Sequence, residues 1–263
     1  MEKVGYSTGL YAKLRNIDTR KAYRELLDRE CFSVNASNIT ISPINAISDI
    51  EKRNAVYRDF LNMLKLDLKH KKYLEEQGLL KSSIESKIYK SVPQKYIKRR
   101  LVANSLKKKY DLSGIPGFYQ EEDWGWTFIN AKGFFVPVFD EKNRIQALSI
   151  HLDEEFNGAT NLWFSSKDKI NGTATKNYIY KNNITNNTET IVLTDDLILG
   201  YLIKDTINAP MIAFSNIINS YQILKILDNT NIRNIIFTVR NNENQNLDYI
   251  INRVFRDLIP LRI

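Results

Sequence analysis

The sequence predicts an α+β chain in three parts: a helical region over residues 1–110, a small antiparallel β-rich subdomain over 111–185, and an α/β part with a parallel sheet over 186–263. Three observations carry this reading. Helix-capping residues precede apolar residues at 3.6-residue spacing through the first 110 positions. From 111 onward short β-branched and aromatic runs are broken by turn residues. From 190 onward apolar runs alternate with amphipathic stretches, the order that builds a parallel sheet with right-handed crossovers.

In the first part, "IDTRKAYRELLDRE" starts at an Asp18 or Thr19 cap and places Ala22, Tyr23, Leu26 and Leu27 on one face. "VNASNITISPIN", polar and containing Pro43, reads as a linker. Ser48 and Glu51 form a capping box for "SDIEKRNAVYRDFLNMLKL", with Val56, Phe60, Met63 and Leu64 facing inward. Asp67 caps "LKHKKYLEEQ", Gly78 closes it, and a short helix over 81–88 follows. In "YIKRRLVANSLKKKY" the spacing points Ile97, Leu101, Val102 and Leu106 inward and leaves Lys98, Arg99, Lys107, Lys108 and Lys109 exposed.

The second part opens with the turn-rich "GIPGFYQ" and continues as strands in "GWTFINAKGFFVPVFDEKNRIQALSIHLD", with "DEKN" as the hairpin connection. "NLWFSS" is a further strand, and the polar "KNNITNNTET" closes the section. The third part sets the strands "TIVLT", "PMIAFS" and "NIIFTV" before the helical segments "DLILGYLIKDT", "SYQILKILDN" and "NLDYIINRVFRDL". Ligands of such sheets meet the carboxyl ends of the strands, here Thr194 to Asp196, Ser215 to Asn216, and Arg240 to Asn242.

Charge is regional. Residues 61–110 hold 14 Lys or Arg against 4 Asp or Glu, more net charge than the +8 of the whole 263-residue chain. Tyrosines 73, 89, 96 and 110 are interleaved with no long apolar face for lipid, which favours nucleic acid over a membrane; the alternative is a merely solvated helical surface. No apolar run approaches the roughly 18 to 20 residues that cross a bilayer, and "MEKVGYSTGLYAKLRN" lacks a signal-peptide core, so a cytoplasmic protein is expected. One cysteine, Cys31, and two histidines, His70 and His151, argue against a disulfide and against a metal site of sulfur and nitrogen ligands.

The order of these segments resembles the catalytic core of bacterial-type DNA primases, and still more the primase-like toprim proteins of plasmids, phages and conjugative elements. "GFFVPVFDEKNRIQALSIHLD" and "NLWFSS" are similar to the family's basic β-rich subdomain. "IVLTDD" and "IIFTVRNNEN" stand where the toprim fold (the metal-binding fold shared by topoisomerases and primases) has a strand ending in Glu-Gly and one ending in Asp-x-Asp. The helical region is similar to the segment preceding the core, and "GYSTGLYAKLRNIDTRKAYRELL" to the tail of a zinc ribbon whose ligands are absent, which leaves open a longer parent protein.

The resemblance implies carboxylates holding a divalent metal for nucleotidyl transfer. Here Asp195 replaces the glutamate and Asp196 the glycine, while Arg240 and Asn242 take the aspartate positions to within one residue. An arginine there repels a cation by on the order of several kcal/mol per unit-charge pair at about 4 Å. The implied protein is thus a primase-like nucleic-acid binder for a mobile element, with single-stranded DNA favoured, no cofactor or metal, and degenerate chemistry. Two alternatives stand beside it: an active primase using Mg²⁺ with Asp195, Asp196 and Glu243, and an interaction module or inhibitor acting on a replication helicase or initiator.

The candidate binding residues are Lys87, Lys90, Lys95, Lys98, Arg99, Arg100, Lys107, Lys108, Lys109, Lys132, Arg144 and His151, the last at the family's basic-strand arginine. Each also has an ordinary reading. Asp195 and Asp196 begin a helix and suit capping; Glu243 suits a helix start; Arg240 suits an ion pair with Asp195 or Asp196. Lys132 and Arg144 suit a plain surface, and Trp124, Trp126 and Trp163 suit core anchors as well as base-stacking.

Overall fold

The computed structural model describes residues 46–122, 124–156, 158–215, 223, 226 and 230–238, all within one compact unit spanning 42–263. The expected helix over 17–30, the 34–45 linker, Cys31, Asn216, most of the expected helix over 220–229, the helix from 246 and the positions Arg240, Asn242 and Glu243 lie outside the described residues.

Helix α1 (Ile50–Asn62) is capped by Asp49, whose carboxylate accepts the Lys52 amide at 2.8 Å, one residue later than the predicted Ser48 cap. A carboxylate is the stronger acceptor, and Glu51 turns away to Arg144 instead of closing a box. The helix buries Val56, Tyr57, Phe60 and Leu61, while Met63 stays 39% exposed. Helices α2 (Leu68–Glu76) and α3 (Lys81–Ser86) follow, with Gly78 between them at φ +90, a value glycine adopts without strain. A two-residue strand β1 (Lys90–Ser91) leads into α4 (Tyr96–Lys107).

Strands β2 (Phe118–Glu121) and β3 (Gly125–Phe128) form a hairpin of their own. Strands β4 (Gly133–Phe139), β5 (Ile145–Phe156) and β6 (Ala159–Trp163) complete an antiparallel sheet in the order β1-β4-β5-β6. The "DEKN" turn forms as expected: Asp140 accepts the amides of Lys142 and Arg144 at 2.9 and 2.8 Å, and Asn143 takes the left-handed φ of +59. Every residue of β4 is buried. Pro137 is tolerated in this central strand because β1 pairs only with Phe134 and Phe135, so no neighbour asks for a donor beyond them on that edge. Phe60 of α1 anchors the core, its ring centroid 4.9 to 5.7 Å from those of Phe118, Phe128, Phe135 and Phe164.

The second sheet runs β10-β8-β9-β7. Strands β8 (Thr190–Thr194), β9 (Met211–Ala213) and β10 (Asn234–Thr238) are parallel, as the alternating pattern predicts, and α5 (Leu197–Ile207) connects β8 to β9. Gly200 permits close packing, since a Cβ there would stand 2.5 Å from that of Ala213. Strand β7 (Tyr180–Asn182) adds an antiparallel edge by pairing with β9, so this sheet reaches back across residue 185. Nor does residue 110 separate cores. One apolar cluster runs from Val56 of α1 through Phe135 and Ile150 to Tyr201 of α5 and Ala213 of β9, and the Tyr201 hydroxyl donates to the Pro137 carbonyl at 2.5 Å.

Candidate nucleic-acid interface and strand-end site

Register sets the first candidate site. Thr194 pairs with both Thr238 and Ala213, so the three parallel strands end side by side. They end against the antiparallel sheet, where buried Ser215 lies 3.1 Å, hydroxyl to hydroxyl, from Ser149 of β5. Asp196 is the N-cap of α5, its Oδ1 accepting the amides of Ile198 and Leu199 at 2.7 and 3.1 Å, which is the capping reading of this residue. Half-buried Asp195 precedes it. Among the described residues no three His, Cys, Asp or Glu side chains gather as metal ligands, and the described carboxylates at this end are no preformed cation cage. A cleft of about 600 Å³ opens elsewhere, beside Asp140, Arg144, Lys181, Thr185 and Asn186. Thr185 and Asn186 lead into the amino end of β8, the wrong end of the sheet for a strand-end ligand.

The basic candidates divide into two groups, and several are corrections. Lys87 is 9% exposed, pairs with Asp205 of α5 at 3.4 Å and lies over the Tyr201 ring; burial pulls its pKa down, against the pull of Asp205. Ser83 donates to the same carboxylate, so Lys87 joins α3 to α5 instead of facing solvent. Arg99, expected outside, is 8% exposed and donates to the carbonyls of Pro93 and Gln94 at 3.1 and 2.8 Å. Arg144 clamps its hairpin to α1 through Asp140 and Glu51 at 2.6 and 2.5 Å. Lys109 pairs with Asp59 at 2.6 Å, an acid that also accepts from Tyr110 and is held below the usual carboxylate range by both bonds. His151 is half-buried, its ring 5.0 Å from those of Tyr73 and Phe134 and its Nδ1 3.0 Å from the Asn161 amide oxygen. Lys90 is half-buried on β1, and Lys132 is exposed before β4.

The remaining cations collect on α4. Its buried stripe is Arg99, Val102, Ala103 and Leu106, so Ile97 and Leu101, expected inside, are 70% and 67% exposed. The 100° step per residue sets Ile97, Leu101 and Lys108 on the face opposite that stripe, with Lys98 on one flank and Arg100 and Lys107 on the other. Lys95 stands at the N-cap. Lys95, Lys98, Lys107 and Lys108 are exposed, and no carboxylate pairs with them or with Arg100 among the described residues.

Arg100 reaches the tip of the β2–β3 hairpin instead. Its Nε and Nη2 donate to the Trp124 carbonyl at 3.1 and 2.7 Å, and its guanidinium lies 4.8 Å from the Trp124 ring centroid and 5.6 Å from that of Tyr96. Asn104 holds the hairpin from the same helix, bonding both the carbonyl and the amide of Trp126. Tyr96 donates to Glu121, which raises the phenol's pKa. Trp126 is buried and Trp163 packs on the core, in keeping with their anchor reading, whereas Trp124 is 56% exposed. The sequence offers one signal for Trp124, its place among "QEEDWG", a polar turn between two strands.

No protein-family model matches the sequence, and no curated protein matches it. Solved structures do resemble it. The zinc-binding and RNA polymerase domains of Aquifex aeolicus primase superpose with a TM-score of 0.54 at 11% identity, over 89% of this chain and 57% of that one. The RNA polymerase domain of Mycobacterium tuberculosis primase DnaG gives 0.53 at 9% identity, over 72% and 65%. The same domain in complex with a double-stranded DNA oligomer bearing a 6-nucleotide overhang gives 0.52 at 8% identity, over 73% and 64%. This chain thus spans 57 to 65% of the length of those primase chains. Helices packed on an antiparallel sheet, followed by a sheet with parallel strands, give it a fold similar to that of bacterial primase catalytic domains.

Proposed function

We propose that this chain is a primase-like nucleic-acid-binding protein that serves the replication or maintenance of a mobile element and favours single-stranded DNA. The observation that carries the reading is the α4 surface, where Lys95, Lys98, Arg100, Lys107 and Lys108 lie without carboxylate partners among the described residues. Such a surface neutralises phosphates in any sequence, so affinity comes from counterion release and sequence preference is weak. The likeness to primase folds, one of them crystallised with DNA, supports nucleic acid as the polyanion.

The reading includes loss of metal-dependent chemistry. Asp196 is engaged as a helix cap, and the sequence offers Arg240 and Asn242 where, to within one residue, the resemblance to the toprim fold implies aspartates. The test is fluorescence anisotropy of a labelled single-stranded oligonucleotide across a salt series, run with and without Mg²⁺. Binding that weakens steeply with salt, needs no Mg²⁺ and is only weakened as Mg²⁺ competes for the phosphates is expected; salt-insensitive binding, or primer synthesis that Asp195→Ala abolishes, overturns the proposal.

A further inference from the structure

A tryptophan more than half exposed at a hairpin tip is costly in water, and here it is held in place. Two hydrogen bonds from Arg100 fix its carbonyl, the guanidinium lies against the indole, and Tyr96 flanks the same guanidinium. Glu121 in turn fixes the Tyr96 hydroxyl. Ordering these side chains beforehand removes much of the entropy cost of binding. Solvent-open Ile97 and Leu101 extend the apolar surface along α4, and Lys98, Lys107 and Lys108 border it. A flat π surface set among cations that have no carboxylate partner among the described residues complements a strand that offers phosphates and bare bases together; a duplex keeps its bases stacked inside. Acidic charge opposes this: Glu122 is exposed two residues before the indole, Glu121 holds the Tyr96 hydroxyl, and the sequence sets Asp123 directly before Trp124.

We infer that Trp124, braced by Arg100 and Tyr96, is a stacking platform for an unpaired base, and that it gives the α4 surface its selectivity for single strands over duplex. The inference rests on the proposed α4 function and adds to it a residue and a ligand class. The test compares three labelled probes of equal charge with the full chain: a single-stranded oligonucleotide, an abasic sugar-phosphate strand, and a short duplex. Wild type should bind the base-bearing strand about tenfold more tightly than the abasic one, a typical worth of one stacked base. Trp124→Ala should remove that ratio while leaving the abasic affinity unchanged, and Trp124→Phe should keep part of it. Base binding should also quench tryptophan emission, because Trp124 is far more open than Trp126, and Trp124→Phe should abolish the quench. Glu122→Lys should tighten both single-stranded probes equally, separating charge from stacking. If Trp124→Ala leaves the ratio intact, or wild type binds all three probes alike as it would if the patch served a protein partner, the platform is refuted and the basic surface survives. If no probe binds, the α4 reading falls and takes the platform with it.

Discussion

Neutralising the four exposed lysines of α4 isolates the electrostatic part of the proposed function. Lys95, Lys98, Lys107 and Lys108 are exposed and unpaired among the described residues, and glutamine has nearly the helix propensity of lysine, so the fourfold Lys→Gln variant should unfold within about 0.5 kcal/mol of wild type. Its effect on binding can be worked out. Each phosphate contact on a single strand contributes about 0.7 to the slope of log K against log salt, so four lost contacts flatten the slope by roughly 2.8. Between about 50 and about 200 mM salt, wild type should therefore lose roughly 50-fold more affinity than the variant. The assay is anisotropy with one single-stranded oligonucleotide at five salt concentrations. Lys71→Gln with Lys72→Gln on α2 is the control, because those lysines face Glu75 and Glu76 at 3.9 and 3.6 Å and should change the slope little. Equal slopes for wild type and the fourfold variant would refute the assignment of α4 as the phosphate-binding surface.

Other expectations concern stability and are read by urea denaturation. Asp196→Ala removes the carboxylate that accepts two amides of α5 and should cost about 1 kcal/mol; Asp196→Asn should recover most of it, an outcome that a metal-binding role alone would not give. Asp205→Ala strands the buried Lys87 and Ser83 side chains without their carboxylate and should cost about 1 to 3 kcal/mol. Gly117→Ala sets a Cβ 2.2 Å from the Phe164 ring at a φ of +91 and should cost about 1 to 3 kcal/mol through overpacking alone. Asp111 is held down at about 2, chiefly by the Ser113 amide and also by Lys52. Its folded pKa lies below its unfolded one, so its contribution is complete above roughly pH 5 and disappears as pH falls through about 2. The urea midpoints of wild type and Asp111→Asn should therefore converge over that window, with no convergence counting against the lowered pKa of Asp111.

Much of the fold is legible because binary pattern and turn chemistry point the same way. The "DEKN" hairpin, Gly78 after α2, and the parallel strands of 190–194, 211–213 and 234–238 follow from local signals. What was not legible depends on tertiary partners. Strand β7 lies in a polar stretch with no strand pattern and exists because β9 offers it an open edge. The core shared across the three sections is illegible for a related reason. A helix pattern records which face is apolar and not which sheet covers it, so nothing in α1 announces that Val56 and Phe60 share a core with Tyr201.

The site divides along the same line. Asp196 was legible as a cap because capping is local, requiring only a side chain two residues before an open amide. On α4 the inward reading holds for Val102 and Leu106 and fails for Ile97 and Leu101, because the sequence supports two faces around that pair, one completed by Ile97 and Leu101 and one by Arg99 and Ala103. Hydrophobicity favours the first. The second wins because the long Arg99 stem packs inside while its head satisfies the carbonyls of Pro93 and Gln94. That rotation has a chemical consequence: it turns two aliphatic side chains outward beside Lys98 and Lys108 and brings Arg100 under Trp124. Buried Arg99 thus positions the proposed interface without belonging to it. Arg99→Leu should preserve a helix while weakening the Arg100–Trp124 contact, and base-induced quenching of tryptophan emission reads that loss directly. If the quench persists in a folded Arg99→Leu protein, the helix face is set by something other than the guanidinium at residue 99.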